Sequence, residues 1–307
     1  MPTEPVEALL YRDLSRVAAH ELINIASPLL QELVNYATNV FMRCQDSARG
    51  NENEDLAVLM LYLHMIEMAD GVEVLLAQSC ATPAEPLIRS LFEALLSITY
   101  ILETDADYVQ RSLTWLVGYS HNRISYYELL DPSTNRGQRF QQARAADLIA
   151  QRIQLPDQAQ VQAAIRNLQH FLARPQFQTI EAEYQRLRRQ RQYPQWYELF
   201  NGPRNLRALA IHLSRAATYD LLYGPLSSVA HAHDLSRFLG RTAEGAATFK
   251  RLRSDHENLR HVTVLAATFI LEATRRILTK FRPSEDLAPW YIREVRERFL
   301  RLARTSN

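Results

Sequence analysis

Five residues have types and spacings that could do chemistry. Arg89 and Glu93 lie four apart in the stretch from Pro86 to Leu102, which is otherwise mostly apolar. On a helix that spacing puts both charges on one face. Opposite charges among apolar neighbours are costly unless they pair with each other or with something that needs them. Further along, Tyr223, Ser227 and His231 recur every four residues. If Pro225 opens a helix, Ser227 and His231 share a face one turn apart, and Tyr223 sits just before it. Brought together, the five would form a catalytic cluster: an imidazole for general acid–base work near neutral pH, a guanidinium that can grip a phosphate or carboxylate with two donors, and supporting hydroxyl and carboxylate groups. The same five residues could equally be a buried polar network joining two core helices. Removing one member of such a network typically costs about 3–5 kcal/mol whether or not it catalyses anything.

Other candidate spacings fail on geometry. His231 and His233 point about 200° apart on a helix, so they do not share a metal. His256-Glu-Asn-Leu-Arg-His261 has one residue too many for the zincin motif, and its imidazoles diverge by about 140°. His64 and Glu67 reverse the order used in di-iron bundles, and no second copy follows. No metal or cofactor is therefore expected. Glycine-rich phosphate loops, dinucleotide fingerprints and the G-x-S-x-G elbow are absent, which sets aside P-loop, Rossmann and α/β-hydrolase chemistry. Tyr119, His121, Arg123, Tyr126 and Tyr127 could stack on bases, but aromatics at helical spacing are ordinarily packed in a core.

These side chains must be positioned by helices. The chain has 307 residues, 47% of them hydrophobic, with only 8 glycines. Period-two alternation is almost missing and helical periodicity runs nearly throughout, so the fold class is all-α. The expected helices cover about 5–47, with a kink or break at Ser27-Pro28, then 55–79, 86–103, 106–130, 204–223, 226–241, a long one up to 280, and 284–304. Ala81 to Pro86 reads as a turn, with Thr82 a possible cap. From 138 to 200 glutamine and arginine dominate and apolar residues thin out, which suggests a polar helical insertion; its run 186–191 could touch phosphate or simply face water. The organisation expected is an N-terminal helical arm (1–54), a bundle core (55–280) carrying that insertion, and a C-terminal amphipathic helix (281–307). Apolar faces on the terminal helices without an evident internal partner suggest a homodimer.

Net charge is +1, and lysine occurs only at 250 and 280. Near neutrality argues against a general nucleic-acid coat protein, though not against a local basic patch. Cys44 and Cys80 form neither a disulfide framework nor a CxxC pair, as befits a reducing cytosol. No charged leader with an apolar run opens the chain, and no uninterrupted apolar window is long enough to span a membrane, so a cytoplasmic protein without membrane contact is expected.

Leu87-Ile-Arg89-Ser-Leu-Phe-Glu93 and Tyr223-Gly-Pro-Leu-Ser227-Ser-Val-Ala-His231 together resemble an uncharacterised family of bacterial helical domains. That family carries an R-x-x-x-E helix early and a Y-x-x-x-S-x-x-x-H segment later. The resemblance spans roughly 55–280. More remotely, such domains resemble the HEPN group of helical bundles, many of which are metal-independent RNases of toxin–antitoxin and anti-phage systems. The R-x(4–6)-H motif of that group occurs as Arg207 to His212 and Arg251 to His256, but random placement gives roughly three such spacings in a chain this rich in arginine. Neither has a polar residue directly after the arginine, as that motif commonly does. The polar cluster on apolar helices, together with this remote resemblance, leads to the expectation of an RNA-directed effector of bacterial defence or a toxin–antitoxin pair, a metal-independent RNase in which His231 is the acid–base group, Arg89 the phosphate contact, and Tyr223, Ser227 and Glu93 position them. The other expectation is a non-catalytic sensor or adaptor whose pocket takes a protein or small ligand.

Overall fold

The computed structural model describes residues 4–48, 52–191, 193–230, 236–243 and 245–304, and only the backbone at 52, 225–230 and 304. The protein is all-α, with one small hairpin among the described residues. In chain order the elements are α1 (Arg12–Ala18), α2 (His20–Ser47), α3 (Glu52–Ala77), α4 (Ala81–Ile101), α5 (Asp105–Leu130), α6 (Asn135–Ala146), α7 (Gln158–Leu172), α8 (Gln178–Gln190), α9 (Leu206–His212), α10 (Ala216–Ala230), β1 (Leu239–Arg241), β2 (Ala247–Phe249), α11 (His256–Phe281), α12 (Ala288–Trp290) and α13 (Arg296–Arg304). A π-helical turn, Tyr291–Val295, joins the last two. Packing divides the chain into two compact units: residues 1–104 with 209–307, and residues 105–208.

The first unit is a bundle of α2, α3, α4 and α11, with α10 lying on α4. Its core is filled by Leu29 and Leu30 of α2, Tyr62 and Met65 of α3, Ile88, Leu91 and Phe92 of α4, and Ile270 and Ile277 of α11. Phe92 meets Phe269 with ring centroids 5.6 Å apart. The buried Tyr62 hydroxyl lies 2.9 Å from the Thr274 hydroxyl, which itself donates to the Ile270 carbonyl, so no polar atom of the pair is stranded.

Pro28, expected to mark a kink or break, leaves α2 unbroken, and Pro86, expected to close a turn, sits inside a helix. α2 continues through Pro28, and α4 begins at Ala81 with Pro86 one turn in, without a side-chain cap at its start. Burial overrides local preference in both places. Ala26, Leu29 and Leu30 flank Pro28, and Ala81, Ala84 and Ile88 flank Pro86, all packed in the core. Gly224-Pro225 likewise lies within α10 rather than punctuating it. The opposite correction applies further on. A helix was expected from 226 to 241, but after Ala230 the next described elements are a short 3-10 turn at Ser236–Phe238 and the hairpin. Leu239 pairs with Phe249, Gly240 with Thr248 and Arg241 with Ala247. Gly240 and Gly245 disfavour helix, and Gly245 takes φ +83°, which suits glycine in a tight connection.

The terminal helices have partners inside this unit. α13 packs on α2 and α11, burying Leu302 completely. Trp290 stacks on Tyr36 at 3.7 Å and donates its ring N–H to Glu32 at 2.7 Å. The C-terminal apolar face is thus covered by α2 and α11, whereas Val6, Leu9, Leu14 and Val17 near the N-terminus remain exposed.

The second unit is built on α5, against which α6, α7 and α8 pack. Val117, Val161, Phe177, Ile180 and Tyr184 are buried in it. α6 starts with Thr134, whose hydroxyl accepts from the Gly137 N–H, and α7 starts with a capping box made by Asp157 and Gln160. Such local devices let short, glutamine-rich helices stand where apolar periodicity is thin. The unit is wider than the stretch of altered composition at 138–200, because α5 provides the apolar surface those helices need.

Candidate functional site

The polar cluster is assembled between α4 and α10 in the first unit. Ile88, Leu91, Phe92 and Leu95 anchor α4 in the core, which turns Arg89 and Glu93 toward its less buried side. Arg89 Nε donates to Glu93 Oε1 at 2.9 Å, the one-turn pairing that the spacing dictates. The Arg89 terminal amino group also donates to the Tyr223 hydroxyl, 134 residues away. The guanidinium carbon lies 4.2 Å from the centre of the Tyr223 ring, so the arginine engages both hydroxyl and π-face. Tyr219, one turn earlier on α10, stacks on Tyr223 at 4.6 Å.

Electrostatics follow from this packing. Burial works against the charge of Arg89, but the Glu93 carboxylate and the Tyr223 hydroxyl outweigh it and hold the guanidinium above its usual range. Burial and the neighbouring Glu93 charge push the Tyr223 phenol up, against the pull of Arg89. The hydroxyl therefore stays protonated at neutral pH. The Arg89 side chain is 24% exposed and that of Glu93 40%, so solvent reaches the cluster. It can present a fixed cation flanked by a phenol, an arrangement suited to orienting an anion.

Of the five residues predicted from sequence, the structure brings Arg89, Glu93 and Tyr223 together. Ser227 lies on α10 one turn beyond Tyr223, and its side chain is outside the description. His231 lies outside the described residues. Two groups nearby in the same unit were not assigned to the cluster, although His212 closes one of the R-x(4–6)-H spacings. Tyr219 was legible as the i−4 neighbour of Tyr223. His212, which meets Glu103 at 2.9 Å and packs edge-on against Tyr100 at the end of α4, carries no local signal of those contacts. The rejected iron-site pair resolves simply: His64 meets the Ser90 hydroxyl at 2.8 Å rather than a metal-binding set. Among the described residues no group of three or more His, Cys, Asp or Glu converges on one point.

The second unit holds a separate pairing. His121 Nε2 lies 2.8 Å from Glu181 Oε2, and its ring stacks on Tyr184 at 4.0 Å. Burial pushes the Glu181 carboxyl up, but hydrogen bonds from His121 and Gln185 prevail and hold it below its usual range.

The fold and cluster define an all-helical protein with a polar site on an apolar bundle. Residues 55–246, more than half of the chain, match a family model described as Family of unknown function (DUF5677), and the chain belongs to that family. No curated protein and no solved structure matches it. No described helix is long and apolar enough to cross a membrane.

Proposed function

We propose that this protein is an RNA-directed effector of bacterial defence or of a toxin–antitoxin pair, acting as a metal-independent endoribonuclease. The observation that supports this most is the joining of Arg89 to Tyr223 beside Glu93, which pre-forms an anion-orienting group on a rigid helix. Arg89 takes the phosphate, Tyr223 and Glu93 fix its direction, and Ser227 follows one turn along α10. His231 is the acid–base group. It removes the proton of the RNA 2′-hydroxyl as that oxygen attacks phosphorus, and the imidazolium so formed returns the proton to the 5′-oxygen as its bond to phosphorus breaks, leaving a 2′,3′-cyclic phosphate. The remote HEPN likeness points the same way, at the level of fold analogy.

A second reading is favoured by one feature. Both described contacts of Arg89 use donors that a phosphate would need, so the cluster also suits a non-catalytic sensor or adaptor that exchanges Tyr223 for a ligand or partner group. The purified full chain incubated with total RNA in EDTA separates the two. Cleavage that His231→Ala and Arg89→Ala abolish supports the nuclease. RNA left intact at high protein excess overturns it and leaves the sensor.

A further inference from the structure

We infer that the C-terminal half of α5, in the second unit, is a binding face for single-stranded RNA. Tyr119, Arg123, Tyr126 and Tyr127 recur at i, i+4, i+7 and i+8, so they line one side of the helix. Aromatic residues at such spacing are ordinarily core residues. Here Tyr119 is 38% exposed and Tyr126 46% exposed, while Leu116, Val117 and Ile124 of the same helix are buried. Trp115 backs Tyr119 in a parallel stack at 5.4 Å, which stiffens that ring and leaves it presented to solvent.

Charge decides the occupant. Arg123 lies between the rings, its guanidinium carbon 4.9 Å from the Tyr127 centre and 5.6 Å from that of Tyr126. It donates to the Tyr127 hydroxyl at 2.7 Å. Arg136 of α6 reaches the same stretch of α5 and donates to the Ser125 carbonyl at 3.0 Å and to its hydroxyl. Both guanidinium groups thus meet neutral oxygens, and neither has a carboxylate partner among the described residues. Their unit as a whole carries fourteen arginines and no lysine against nine aspartates and glutamates, a net charge of +5. Two uncompensated cations beside open π-faces suit alternating phosphates and unstacked bases, and suit an apolar or basic protein surface poorly. Side chains four residues apart along the helix rise about 6 Å, which leaves one ring for each splayed nucleotide rather than for each base of a stacked helix. The choice of RNA over DNA rests on the reading given under Proposed function; the single-stranded nucleic-acid chemistry does not.

The test uses the full chain and fluorescence anisotropy of a labelled oligouridylate whose 2′-hydroxyls are all methylated. Such a probe cannot be cleaved, so binding is scored whether or not the protein is a nuclease. Saturable binding is expected, weakened about fivefold or more by each of Tyr119→Ala and Tyr126→Ala and largely retained by Tyr126→Phe, which keeps the stacking face. Arg123→Gln and Arg136→Gln should each flatten the salt dependence by about 0.7 in log–log slope. Thermal melts verify folding. If a tyrosine variant melts early, the two arginine variants, whose side chains are exposed, decide between binding and its absence. The inference is overturned by no saturable binding, by duplex RNA binding as tightly, or by folded variants that bind unchanged. Tighter binding of the matching deoxyribo-oligomer overturns the choice of RNA.

Discussion

The two units differ in how their arginines are partnered. In the unit of residues 1–104 and 209–307 several guanidinium groups share carboxylates, although Arg241, Arg253 and Arg298 donate to backbone carbonyls. Arg89 pairs with Glu93, Arg215 and Arg276 both reach Glu272, and Arg43 and Arg282 both reach Glu285. That unit has twenty-five acidic residues against twenty-one basic ones. In the unit of residues 105–208 some pairs form, such as Arg186 with Glu183, yet Arg123, Arg136 and Arg144 donate to hydroxyls and backbone carbonyls only. A paired arginine mainly ties elements together. One left facing water with its charge intact is available to an outside anion. The net charge of +1 for the whole chain hides this division, because it is the sum of −4 and +5.

Ways to sharpen the contrast run from core to surface. Phe92→Ala opens a cavity at the centre of the first unit and should cost about 3–5 kcal/mol, measured by denaturant unfolding. The second unit packs Phe171 on Phe177 at 4.6 Å and also relies on tight turns. At Gly137 an added Cβ would come within 1.8 Å of the Asp131 carbonyl oxygen, so Gly137→Ala should cost about 1–3 kcal/mol by the same measurement. An indifferent result there would mean that the start of α6 yields readily. Next in size is the Arg89–Tyr223 coupling. A double-mutant cycle with Arg89→Met and Tyr223→Phe should return about 1–2 kcal/mol, and zero coupling would mean that this hydrogen bond adds nothing to the packing of α10 on α4.

The smallest expected effect is a titration. The folded state holds the Glu181 carboxyl below its ordinary range. Its contribution is therefore complete above the unfolded value, about pH 4.3, and is lost as pH falls through the folded value. Glu181→Gln should flatten the acid side of the stability curve. A curve of unchanged steepness would show that the His121 pairing is not coupled to folding.

Much of this was legible beforehand. Apolar periodicity and scarce glycine gave the all-α class, and the four-residue spacing of Arg89 and Glu93 gave their contact. The prolines misled, because Pro28 and Pro86 are held in helices by burial on both sides, a tertiary effect that no local rule contains. Gly240 and Gly245 were weak signals in isolation and became a hairpin only through the pairing of Leu239 with Phe249. The aromatic residues of α5 were the instructive case. Spacing placed them on one face but could not tell whether that face pointed inward, which depends on where α6, α7 and α8 lie.

The tryptophans are divided in a useful way. Trp290 is sandwiched against Tyr36 in one unit, whereas Trp115 and Trp196 belong to the other. Replacing either set with phenylalanine leaves an intrinsic fluorophore that reports on a single unit. The order in which the two halves of this molecule come apart on heating can then be followed by emission colour alone, without any attached dye.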